Sequence, residues 1–231
     1  MMARATNPYW RLCSVTLLSG VLTAVPGLAA TDTNPQKIGI ATGHVVLEVI
    51  GQVNNLAATA DAPLGSSQQF GYVSFVEGID SVFTDSNPAN QNEATAILTF
   101  FTDVKTIRVT PHGPFSIVIR EGTTTFYRTT GPASFATPDS FRAGEPVISS
   151  TIRQQVVVDT IEKTFTVVNV NTITATRSFD LGDDMVRIGS PGDQIRTSLM
   201  GVLRARDGVP PPTGHFAGSG VGVARERGRS W

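Results

Sequence analysis

Residues 147–180, VISSTIRQQVVVDTIEKTFTVVNVNTITATRSFD, constrain the fold more than any other stretch of the chain. They are crowded with β-branched side chains, contain neither Gly nor Pro, and carry one charged, polar break at 159–163. Branching at Cβ stiffens χ1 and suits a pleated surface, so two long antiparallel strands joined by a tight connection are expected. A sheet made of such strands has to bury one face. In a chain of 231 residues it can do so by closing on itself or by stacking on a second sheet.

The flanking sequence divides into the same kind of unit. Roughly nine or ten strand-like runs are separated by turn chemistry. They are 44–53, with Val45, Leu47, Val49 and Val53 on one parity, then 69–79, 94–102, 105–110, 115–120 and 123–130. The long pair, a short run at 185–188 and a last run at 194–206 complete the set. Ile195, Leu199 and Leu203 are four apart and would also fit a helix face, but Thr197 and Gly201 favour a strand. Two loops are long. Residues 84–92 are polar, whereas 131–146 carry three prolines together with Phe135 and Phe141. Aromatic residues in such a loop are expected to pack on something, either over an open barrel end or as staples to the core.

Sequential strands with mostly short connections predict an all-β fold, a single antiparallel closed barrel, with a two-sheet β-sandwich as the alternative. In strand pattern the chain resembles lipocalin-like and allene-oxide-cyclase-like barrels; no signature motif of either is present, so no residue role is carried over. A lipid-facing outer-membrane barrel is a third option because the last residue is Trp231. Aromatic residues are only 7%, however, and Arg229 and Arg227 alternate back from that Trp, against a lipid-facing strand.

The two ends read differently from the middle. Arg4 and Arg11 precede an apolar run from Leu12 to Val25, and Gly27-Leu28-Ala29-Ala30 offers small residues for cleavage, so 1–30 are expected to be a signal peptide. The run is too short for a permanent span, so no integral membrane segment is expected after cleavage, and a secreted, periplasmic or cell-envelope location follows. Cys13, the single cysteine, lies inside that segment, which leaves the mature chain free of disulfides and of thiolate metal sites. Pro210-Pro211-Pro212, then Gly214, Gly218, Gly220 and Gly222, then Arg225, Arg227 and Arg229 read as a flexible Gly/Pro/Arg tail at 208–231, outside a barrel domain at 31–207.

Charge and motifs exclude more than they assign. A net charge of −1 supplies no field for nucleic acid. His44, His112 and His215 form no metal-ligand pair, and Asp180, Asp183 and Asp184 lack the spacing of a calcium loop, so neither a metal nor a cofactor is indicated. The productive signal is polar residues on apolar parities. Glu77 alternates with Val73, Phe75 and Ile79; Asn169, Asn171 and Arg177 alternate with Phe165, Val167, Ile173 and Phe179. With those faces inward, a Glu77–Arg177 pair flanked by Asn169 and Asn171 would form a polar patch in an apolar cavity, the composition of a small-ligand site. The competing reading is a β-bulge or a strand end, since one bulge flips every later assignment. The expected role is binding of a small apolar ligand in the barrel lumen. The alternatives are a cyclase- or isomerase-type enzyme using Glu77 as acid or base and Arg177 for charge stabilisation, or a filled, non-catalytic protein of the cell envelope.

Overall fold

A computed structural model describes residues 34–181, 184–206 and 209–224. Its strands are β1 (Gln36–Ile38), β2 (Val45–Leu56), β3 (Ser66–Val76), β4 (Leu98–His112), β5 (Phe115–Arg128), β6 (Glu145–Asp159), β7 (Thr164–Thr176), β8 (Phe179–Leu181), β9 (Asp184–Ile188), β10 (Gln194–Arg206) and β11 (Val209–Val223). Eight of these close into one antiparallel barrel in the order β2-β3-β4-β5-β6-β7-β10-β11, with β11 returning to β2. The remaining three form a small sheet, β1-β9-β8. The barrel, rather than the sandwich, is therefore the fold; closure leaves the barrel itself no strand edge for another chain to pair with.

The long hairpin forms as its sequence dictates. β6 and β7 pair from Ile148↔Thr176 to Asp159↔Thr164. Asp159 Oδ1 accepts the backbone N–H groups of Ile161 (2.9 Å) and Glu162 (3.0 Å), and Lys163 takes φ 57°, which turns the chain within four residues. Elsewhere strands are longer than their sequence suggests. The Glu121-Gly122 step lies inside β5, and residues 94–110 yield one strand, β4, from Leu98 onward.

Much of the inward face is apolar: Val49, Val53, Phe165, Val167, Ile173, Ile195 and Leu199 are all buried in one core. Their outward neighbours Glu48, Arg153, Gln155, Thr164, Thr166 and Arg196 are exposed. The outward face is mixed, since Ile50, Val170, Met200 and Val202 on it are exposed as well. No helix among the described residues is long and apolar enough to cross a membrane. β1, β8 and β9 add Ile38, Phe179, Val186 and Ile188 to this core. Connectivity puts them at the end where β2, β6 and β10 begin.

The loop at 131–146 covers the outer wall instead of a barrel end. Phe70 of β3 and Phe101 of β4 point outward and are buried with Ala133 and Phe141 in a second, smaller core. The Phe141 ring lies tilted 5.5 Å from that of Phe70 and 4.9 Å from that of Phe135, Thr99 Oγ1 donates to the Phe141 carbonyl (2.8 Å), and the Arg142 guanidinium lies 4.4 Å from the Phe101 ring centre. The aromatic residues are staples.

The expected tail is a correction. Residues 209–223 are β11, the strand that closes the barrel, paired with β10 from Gln194↔Val223 and with β2 from Asn54↔Thr213. Residues 225–231 and the proposed signal peptide lie outside the described residues. The glycines of β11 are close-approach positions rather than spacers. Phe216 sits between Gly201 and Gly51 in register, and a Cβ on Gly51 would come 2.7 Å from its ring. A Cβ on Gly218 would come 2.0 Å from the Ser198 carbonyl oxygen.

Candidate lumenal site

The interior is crossed by a polar belt. Gln69 on β3 and Gln154 on β6, two strands apart from being neighbours, exchange amide hydrogen bonds across the lumen at 3.0 and 3.2 Å. Gln154 Nε2 also donates to Asn169 Oδ1 (3.0 Å), and Asn169 Nδ2 donates to Thr197 Oγ1 (2.8 Å). β3, β6, β7 and β10 are thus tied together through side chains that are almost wholly buried. Such a network has to be satisfied, because an amide left without a partner in this medium keeps its full desolvation cost.

Two cavities flank the belt. One, about 60 Å³, lies toward the end where β6 turns into β7. Its wall is Val53, Val156, Val158, Phe165, Val167, Leu199, Leu203 and Phe216, and its polar edge is Asn55, Gln69, Arg120 and Gln154. The other, about 30 Å³, is lined by Leu47, Val49, Phe100, Phe126 and Ile152, with Asn169, Asn171 and Thr197 on the belt side. Among the described residues neither is lined by a carboxylate, an imidazole or a thiol.

The four residues singled out from sequence separate into two pairs. Asn169 and Asn171 are inward and buried, the first in the belt and the second donating to the Ile195 carbonyl (3.3 Å). Glu77 and Arg177 are not in the lumen. The register of β3 against β2 skips Ser74, and that of β7 against β6 skips Thr174. Each skipped residue is a bulge that reverses inside and outside beyond it, so Phe75 becomes exposed and Val76 buried. Glu77 follows the end of β3, where its carboxylate is 3.6 Å from His44 Nδ1 with both side chains open to solvent. Arg177 follows the end of β7 and is exposed. The expected Glu77–Arg177 pair is not formed.

The residue that sequence reading passed over is Arg120. It is inward on β5, directly opposite Gln154 on β6. Its NH1 donates to Gln154 Oε1 (3.4 Å) and its NH2 to Asn55 Oδ1 (2.8 Å). Burial pulls the guanidinium pKa down to about 10, which still leaves it charged at neutral pH. Among the described residues no carboxylate lies within ion-pair distance of it. The available signal was parity: Arg120 alternates with Val118, Gly122, Thr124 and Phe126 in one strand.

Among the described residues no cluster of His, Cys, Asp or Glu is placed to hold a metal ion. No protein-family model, no curated protein and no solved structure matches the chain.

Proposed function

We propose that the protein is an exported binding module whose lumen takes a small, mainly apolar molecule. The observation that carries this reading is the 60 Å³ cavity, walled by eight aliphatic and aromatic side chains and edged on one side by amides and a guanidinium. A mostly apolar pocket with a few convergent polar groups is how small-ligand sites are generally built. An enzymatic reading is disfavoured because its acid–base candidate, Glu77, lies beyond the end of β3 in solvent. A purely structural role is disfavoured because the lumen is not filled.

The test is a titration with butan-1-ol followed by methyl NMR. Shifts should concentrate on Val53, Val156, Val158, Val167, Leu199 and Leu203. Shifts confined to outward methyl groups such as Val170 and Val202, or none at millimolar ligand, would overturn the reading. Export has its own test. Protein recovered from the medium or periplasm of its source is expected to begin after Ala29 or Ala30 by intact mass, and recovery of only the full-length chain from the cytosol would refute it.

A further inference from the structure

We propose that Arg120 is the anchor for a carboxylate, so that the lumenal ligand is a small monocarboxylic acid with its chain in the apolar half of the cavity. This rests on the lumen-binding reading and narrows it to a ligand class.

The argument begins with an imbalance of charge. A guanidinium turned into a barrel interior loses much of its hydration, and it is normally repaid by an acidic partner. Arg120 has two neutral oxygens instead, from Asn55 and Gln154. Its Nε–H is shut off from solvent and has no acceptor. The only other such buried side-chain atom among the described residues is Ser67 Oγ, and Ser67 is the register partner of Asn55, the residue Arg120 holds. Two unsatisfied polar groups therefore flank one amide at the edge of one cavity. Protein sites rarely leave such groups without a purpose.

The cavity supplies the rest of the ligand description. Next to Arg120 it presents Val156, Val158, Phe165 and Leu203, none of which can solvate an anion. A carboxylate is the smallest common group that matches the planar fork of a guanidinium through two parallel N–H groups. A water-sized position occupies roughly 10–15 Å³, so the cavity accommodates about four to six non-hydrogen atoms. Butanoate is of that size. A cation is excluded by like charge, and a neutral alcohol of the same length leaves the guanidinium without a charged acceptor.

The test compares butanoate, butan-1-ol and butylammonium on the full chain by NMR titration. Butanoate is expected to bind about 10- to 100-fold more tightly than butan-1-ol, the margin of a charge-assisted hydrogen bond over a neutral one. Butylammonium is expected not to bind. In the wild-type protein the Arg120 Nε–H resonance should move and exchange more slowly with butanoate. Arg120→Met should abolish the preference for butanoate while butan-1-ol still binds. Because no acidic partner is stranded by the change, the variant should melt at or above the wild-type temperature. Equal binding of acid and alcohol, or preference retained in Arg120→Met, would overturn the carboxylate assignment and leave lumenal binding standing. If no probe binds, both readings fail. An unmoved Nε–H resonance at saturating butanoate overturns the assignment whatever the variant does.

Discussion

A chain ending at Asp207 is expected not to fold. It would lack β11, whose ladders run to both β10 and β2 and which is the only link between them. Without it the two flanking strands become open edges and Phe216 leaves the core. Burial of a Phe is by itself worth about 3–5 kcal/mol, and loss of two ladders adds to it, against a total stability of about 5–15 kcal/mol for a domain. The expected measurement is the absence of a cooperative thermal transition by circular dichroism, with aggregation on concentration. A point version of the same test is Gly218→Val. Its Cβ would lie 2.0 Å from the Ser198 carbonyl and 2.8 Å from the Leu199 Cα, both backbone atoms that cannot move without opening the β10–β11 ladder. A loss of more than about 4 kcal/mol is expected. A truncated chain that melts cooperatively near the full-length temperature would mean that closure through β11 is not what holds the barrel.

This is also the place where the sequence misled, and the reason is physical. Runs of Pro and Gly read as unstructured because each weakens an isolated strand. In a narrow barrel the same glycines are needed where rings and neighbouring strands approach. The sequence GHFAGSGVGV does alternate: Gly214, Phe216, Gly218, Gly220 and Gly222 all share the inward parity, with Phe216 filling the space over Gly51 and Gly201. Read as a parity pattern, it was a strand. The β-branched pair β6–β7 was legible because its signal needs no partner; the inward placement of Asn169 and Asn171 followed from it. Glu77 and Arg177 were assigned on the same logic and fell outside, because Ser74 and Thr174 interrupt the alternation. A bulge depends on the register of the neighbouring strand, which local sequence does not encode. Arg120 was hidden by the Glu121-Gly122 step, which resembles a turn and sits in the middle of a continuous strand.

Gln154→Leu is expected to cost about 3–5 kcal/mol, although leucine is close to glutamine in volume and the site is wholly buried. The loss does not come from glutamine itself. Removing its amide strands both ends of the Gln69 amide across the lumen and the Oδ1 of Asn169 on the neighbouring strand, three buried groups, and takes an acceptor from Arg120 NH1 as well. Each stranded group costs about 1–3 kcal/mol, partly offset by the apolar surface that leucine buries. Because the penalty belongs to the partners, it should shrink when a partner is removed as well. The double variant Gln69→Leu with Gln154→Leu is expected to be more stable than Gln154→Leu alone by more than about 1 kcal/mol, since only Asn169 Oδ1 and Arg120 NH1 then lack the partner that Gln154 gave them. Urea unfolding of the wild type, both single variants and the double variant gives the coupling directly. Losses that simply add would show that the belt is a set of independent contacts, and that the division of the lumen into two small cavities does not depend on it.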